Sequence, residues 1–208
     1  MRNPDQIRFR AIKLATSGAH ETALPEFDQL IEVSGSSGDY AWRAQSLAAV
    51  GRYRDALNDC ETAMTGDPSD PSAFATASFI RAASPVDELR DGTKALELIT
   101  HALRLMDKPP NWRIRSIIAA AHAENGDFLA AEKFAAESLA DAPSEMKERF
   151  LQRIQEYKNR IAYRATNENN ILSLGVREYR CTVCGEPTVM FWPPRDPDRK
   201  PRCVDCCT

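Results

Sequence analysis

One small-residue pattern recurs through roughly three-quarters of this 208-residue chain, and it constrains the fold more than anything else in the sequence. A small residue is followed three positions later by a second marker, nine further on by Ala, and seven further on by a small or apolar residue. The first copy is Ala11, Leu14, Ala23 and Leu30. The second is Ala44, Leu47, Ala56 and Ala63, and a later one is Ala119, His122, Ala131 and Ser138. In these three copies Gly18, Gly51 and Gly126 stand four residues after the second marker, and His20, Tyr53 and Phe128 follow each Gly by two. A glycine there permits the positive φ of a tight turn between two helices. Small residues let paired helices approach closely, and the larger markers fill the gaps between turns. Pro68 and Pro143 fall where the second helix of a unit must stop. A single helix–turn–helix unit cannot bury its apolar face alone, so such units stack and share a core.

The pattern resembles the tetratricopeptide repeat (TPR) family. It is clearest in Tyr40–Asp70, with Tyr40, Ala44, Leu47, Gly51, Tyr53, Ala56, Ala63 and Pro68, and equally clear in Arg115–Pro143. A first repeat covers residues 4–36 and a third covers 71–108. In the third, Ser78, Ala95 and Ala102 fit, but Arg81 stands where a large apolar residue is usual. Arg81 and Ala95 lie fourteen apart where the other copies have nine, so SPVDELRDG (84–92) reads as an enlarged, protruding and mobile loop with a short turn at Pro85–Leu89. Pro25 implies a late start or a kink in the second helix. The expected fold is therefore all-α, a TPR helix–turn–helix solenoid of about four repeats.

Residues 144–164 read as a capping helix that ends the solenoid. Met146, Phe150, Ile154, Tyr157 and Ile161 form one apolar stripe, and the other faces are charged, with Arg153 among them. A partner-binding amphipathic helix is the alternative. The solenoid with its cap spans 1–165, and an Asn-rich linker follows at 166–178, in which Ile171, Leu172 and Leu174 could dock back on the repeats.

The last thirty residues, 179–208, form a separate module. Cys181, Cys184, Cys203 and Cys206 are spaced C-x2-C-x18-C-x2-C, a structural-zinc spacing. Four thiolates complete a tetrahedral shell at a Zn–S distance of about 2.3 Å and leave no position for water, so one Zn2+ would be structural. The module resembles a zinc ribbon, with Thr188–Trp192 as one arm of a β hairpin and the Pro-rich 193–201 as the return loop. A redox dithiol is the competing reading, and Cys207 could replace Cys206 as the fourth ligand. Cys60 lies alone on a helix and reads as a small buried hydrophobe.

Composition narrows the function. There are 27 Lys+Arg against 30 Asp+Glu, for a net charge of −3, which argues against a chain-wide nucleic-acid surface. Phe191 and Trp192 lie near Arg195, Arg199, Lys200 and Arg202, but Asp196, Asp198 and Asp205 are interleaved with them. No apolar run is long enough to span a membrane, and MRNPDQIRFR is not a signal-peptide core, so a cytoplasmic location is expected. His20, His101 and His122 show no catalytic pattern with Cys or Asp. The TPR resemblance implies a non-catalytic scaffold that binds a partner peptide or helix on the concave face lined by first helices. Arg8, Phe9, Ile12, Trp42, Gln45, Phe79, Ser116 and Ala120 map to that groove, with Trp42 and Phe79 as exposed aromatic anchors. The alternative for Trp42 is packing against its neighbouring helix. Arg8, Ile12 and Gln45 stand where some TPR proteins clamp a carboxylate, so an apolar partner segment is expected. Two other functions stay open: a nucleic-acid adaptor acting through the zinc module, and a thiol-redox or zinc-responsive protein.

Overall fold

A computed structural model describes residues 3–166 and 170–172, and the backbone of two strands at 178–180 and 187–189. Helices α1 (Pro4–Thr16) and α2 (His20–Val33) form the first pair, and α3 (Ser37–Ala49) and α4 (Tyr53–Gly66) the second. The third pair is α5 (Pro71–Ala83) with α6 (Gly92–Leu105), and the fourth is α7 (Trp112–Glu124) with α8 (Phe128–Asp141). Helix α9 (Lys147–Lys158) packs on α8.

Each first helix starts at a short polar side chain that satisfies an otherwise unpaired backbone amide. Asn3 accepts from Asp5 N at 3.0 Å, Ser36 from Asp39 N at 3.3 Å, Asp70 from Ser72 N at 2.9 Å and Asn111 from Ile114 N at 3.1 Å. Pro4 and Pro71 follow such caps at the first helical position, where the missing N–H costs nothing. The turns inside the pairs repeat as closely. Gly18, Gly51 and Gly126 adopt φ of 85°, 83° and 84°. The next residue donates back across the helix end: Ala19 N to Leu14 O at 2.9 Å, Arg52 N to Leu47 O at 2.8 Å, Asp127 N to His122 O at 2.9 Å.

The pairs stack in sequence order, α2 on α3, α4 on α5 and α6 on α7. First helices also touch one another, α1 to α3, α3 to α5 and α5 to α7, so they line one continuous inner face. Ala11, Ala23, Ala44, Ala56, Ala119 and Ala131 have no exposed surface, as a close helix approach requires. In the third pair Ser78 takes the small position, and its hydroxyl donates to Ala95 O at 2.8 Å. The described helices thus form an all-α repeat solenoid.

Three expectations change. Helix α2 begins at His20 and runs through Pro25, so the late start is absent; Leu24, Phe27 and Leu30 anchor both sides of the proline in the core. The loop between α5 and α6 is not a protruding one. Ser84 is fully buried, Asp87–Leu89 forms a single 3₁₀ turn, and Leu89 is buried against the repeats. Arg81 belongs to this loop's framework, donating to Leu89 O at 3.1 Å, which explains a charged residue at an apolar position. Gly92 then brings the start of α6 against the end of α7, where a Cβ would lie 2.6 Å from Asn125 N. Finally, α9 is preceded by a 3₁₀ turn at Ser144–Met146 and stops at Lys158, short of residue 164. Arg160 adopts φ 58° and reverses the chain, leaving Ile161 exposed and off the stripe formed by Met146, Phe150 and Tyr157.

Strands β1 (Glu178–Arg180) and β2 (Pro187–Val189) pair antiparallel, with Glu178 opposite Val189 and Arg180 opposite Pro187. The remaining residues of the 179–208 module lie outside the described residues.

Candidate functional site

The inner face is covered at the C-terminal ends of α7, α5 and α3 by the chain's own segment after α9. Residues 161–166 and 170–172 leave the cap helix and cross the C-terminal ends of α7, α5 and α3 in that order. A helix C-terminus presents carbonyls without intrahelical partners and the negative end of the dipole. The segment meets each with a donor. At α7, Arg164 pairs with Glu124 at 2.7 Å. At α5, Ala165 N donates to Ala83 O at 2.7 Å. At α3, the Asn170 carboxamide donates to Ala48 O at 2.8 Å, while its oxygen accepts from Leu172 N at 2.9 Å. Asn170 is only 1% exposed, so these bonds are what make its burial tolerable.

Apolar and aromatic contacts run alongside the donors. Tyr163, Ala165 and Ile171 join the main buried cluster of the repeats. The Tyr163 ring sits 6.4 Å from that of Phe79 on α5. On its other side Arg153 of α9 lies 3.5 Å from the ring centroid, a cation–π contact shielded from water. Arg153 also donates to Ser116 Oγ at 3.1 Å on α7. Burial pushes the Tyr163 phenol up, and Arg153 opposes that shift. Tyr53 at the start of α4 is pushed up to about 12, first by burial and then by Tyr163. Both phenols therefore stay neutral near pH 7.

The reshaped loop supports the same site. Arg90 lies just after the 3₁₀ turn, donates to Ser84 O at 3.1 Å, and its Nε reaches Glu124 at 3.1 Å. Glu124 is thus held between Arg90 and Arg164, one oxygen to each.

The groove residues expected from sequence divide into two groups. Phe79 faces Tyr163 but is fully buried, so it is not an exposed anchor; the segment covers it. Gln45, Ser116 and Ala120 are buried as well. At the N-terminal end, Arg8, Phe9, Ile12 and Trp42 are half-buried. Arg8 is fixed by two bonds to Asp39, at 2.8 and 3.1 Å, and one to Asp5 at 2.7 Å. Burial alone would raise the Asp39 carboxyl. Bonds from Arg8, Ser34 and Ser36 outweigh that and hold it below the usual carboxylate range. Ile12 and Trp42 pack against the buried cluster of the first pair. A second guanidinium, on Arg43, grips buried Asp59 through two bonds at 2.7 and 2.8 Å on the outer side of α3.

Arg153, Glu124 and Arg90 were not singled out from the sequence. A signal exists for Arg153: it lies three residues after Phe150 and four before Tyr157, within the apolar stripe of α9. Glu124 and Arg90 carry no comparable local signal.

Cys60 is fully buried, and burial pushes its thiol well up, so it stays a protonated hydrophobe. His20 rests 3.4 Å from Ser46 Oγ, His101 tilts against Phe74, and His122 lies 3.4 Å from Asp127 and stacks on Phe134. Among the described residues no group of three or more His, Cys, Asp or Glu side chains could hold a metal. Cys181, Cys184, Cys203, Cys206 and Cys207 lie outside the described residues, as do Phe191, Trp192 and the basic residues 195–202. No described helix is long and apolar enough to cross a membrane.

No family model and no curated protein matches this chain. Among solved structures it is similar to a thermophilic TPR protein of Thermus thermophilus, at 17% identity and a TM-score of 0.47, covering 74% of this chain and all of the other. The fold assignment above rests on the helix pairs themselves.

Proposed function

We propose that this protein is a non-catalytic interaction scaffold whose inner face binds a polypeptide segment. The observation that carries this reading is that the face already holds one, residues 161–166 and 170–172, seated by donors on three successive helix ends. A surface that recognises backbone and side-chain donors at regular stations is suited to peptides. Helix α1 also meets strand β2, and the half-exposed Arg8, Ile12 and Trp42 take the partner's first contact beside it. Immobilised full-length chain should retain a specific protein, and Trp42→Ala should lose it at unchanged helicity. Equal retention by wild type and variant would move the contact off the groove.

The C-terminal module binds one structural Zn2+ through Cys181, Cys184, Cys203 and Cys206. Pairing of β1 with β2 supports this, because it brings together the two ends of the segment that carries Cys181 and Cys184, as a zinc knuckle requires. A module this small lacks a core of its own, so the metal supplies most of its stability. Metal analysis of protein made with zinc under reducing conditions should give one ion per chain. Cys206→Ser should empty the site and Cys207→Ser should not. A metal-free wild-type chain would favour the dithiol instead.

A further inference from the structure

The order of contacts along the covered groove specifies what else can bind there. Three features of the segment are read by fixed groups of the solenoid. An aromatic ring enters between Arg153 and Phe79, with centroid distances of 3.5 and 6.4 Å. The next side chain carries a positive charge to Glu124, which Arg90 of the reshaped loop holds in place. Seven residues after the aromatic, a carboxamide fills the site at Ala48 O, followed by an apolar residue that is 1% exposed. Between them the backbone amide of residue 165 is read by Ala83 O. The ring, the cation and the carboxamide are each met by a fixed group of the solenoid, so together they act as a recognition sequence and not only as a plug.

We propose that the groove is a binding site for a peptide segment with an aromatic, an adjacent basic residue and an asparagine seven residues after the aromatic, whose backbone turns before the asparagine as Asn170 N does onto Thr166 O at 3.0 Å. In the free chain the protein's own residues 161–166 and 170–172 occupy it as a resident ligand, and a partner segment of the same chemistry enters by displacing them. This rests on the interaction-scaffold reading and adds to it the partner's chemistry and the competition. A resident ligand lowers the apparent affinity for an outside one by the fraction of time it leaves the site open.

The test uses the full-length chain and a fluorescent peptide of the sequence IAYRATNENNIL, residues 161–172, followed by anisotropy. In one variant Tyr163→Ser and Asn170→Ser weaken the resident segment and leave every groove residue intact. The wild type should bind the peptide weakly, and the variant at least about tenfold more tightly. A peptide with Ala at its tyrosine and at the asparagine that matches Asn170 should not compete. The proposal is overturned if a helical variant binds no better than wild type, or if the altered peptide competes equally. If the double variant loses helicity, Asn170→Ser alone is used, which removes the carboxamide bonds to the α3 carbonyls and Leu172 N and leaves the Tyr163 ring in place. Loss of the solenoid in that milder variant as well would show that the segment is core and not ligand. Failure of the peptide with Trp42-dependent capture intact removes this inference alone. Failure of the capture with peptide binding intact removes the contact at Trp42 instead.

Discussion

The second and third repeats close the same carbonyl in different ways. In the second, the Leu47 carbonyl accepts from Arg52 N five residues on, across a glycine turn. In the third, the equivalent Arg81 carbonyl accepts from Asp91 N at 2.9 Å, ten residues on. The five extra residues are looped out between two points that keep their ordinary relation, so the pair still packs as a repeat. What the loop adds is not slack. It buries Leu89 and sends Arg90 to Glu124 at the rim of the groove. A local insertion thus changes the inner face without disturbing the stack, because each repeat contacts chiefly its neighbours.

Substitutions in the two repeats separate these roles, and urea or thermal unfolding reads each one. Phe79→Ala has the largest expected effect, about 3–5 kcal/mol, because the ring is fully buried between the third repeat and Tyr163. Much smaller destabilisation would mean that the segment does not cover this ring. Leu89→Ala follows, at about 2–3 kcal/mol. A value near zero would return the loop to the protruding form expected from its length alone. Gly51→Ala should cost about 1–2 kcal/mol through its φ of 83°, a penalty the third repeat avoids by having no tight turn. Arg52→Ala, beside that glycine, removes only an exposed pair with Asp55 and should change stability by less than about 0.5 kcal/mol.

The repeat architecture was legible because it is written in local spacing. Ala44, Leu47, Gly51 and Ala56 each need only their own turn and one facing helix to show their purpose. The groove was not legible in the same way. Phe79 stood at a position that faces inward, yet its ring meets Tyr163, 84 residues away in sequence, within the buried cluster. Loop length suggested freedom between Ser84 and Gly92, but loop length has only a weak entropic cost, and three contacts decided the outcome: Arg81 with Leu89, Arg90 with Ser84, and Arg90 with Glu124. Arg153 read as one more charge on a capping helix. Its burial is tolerable because Ser116 and the face of Tyr163 both receive the guanidinium.

The central claim is that the segment after α9 occupies the groove in the free protein. Hydrogen exchange of the Ala165 amide tests it most directly, since that N–H donates to Ala83 O on α5 and to nothing within its own segment. The account predicts that this amide exchanges at least about a hundredfold more slowly than in an unstructured peptide. Exchange at the free-peptide rate, with the Arg52 and Asp127 turn amides still protected, would contradict it.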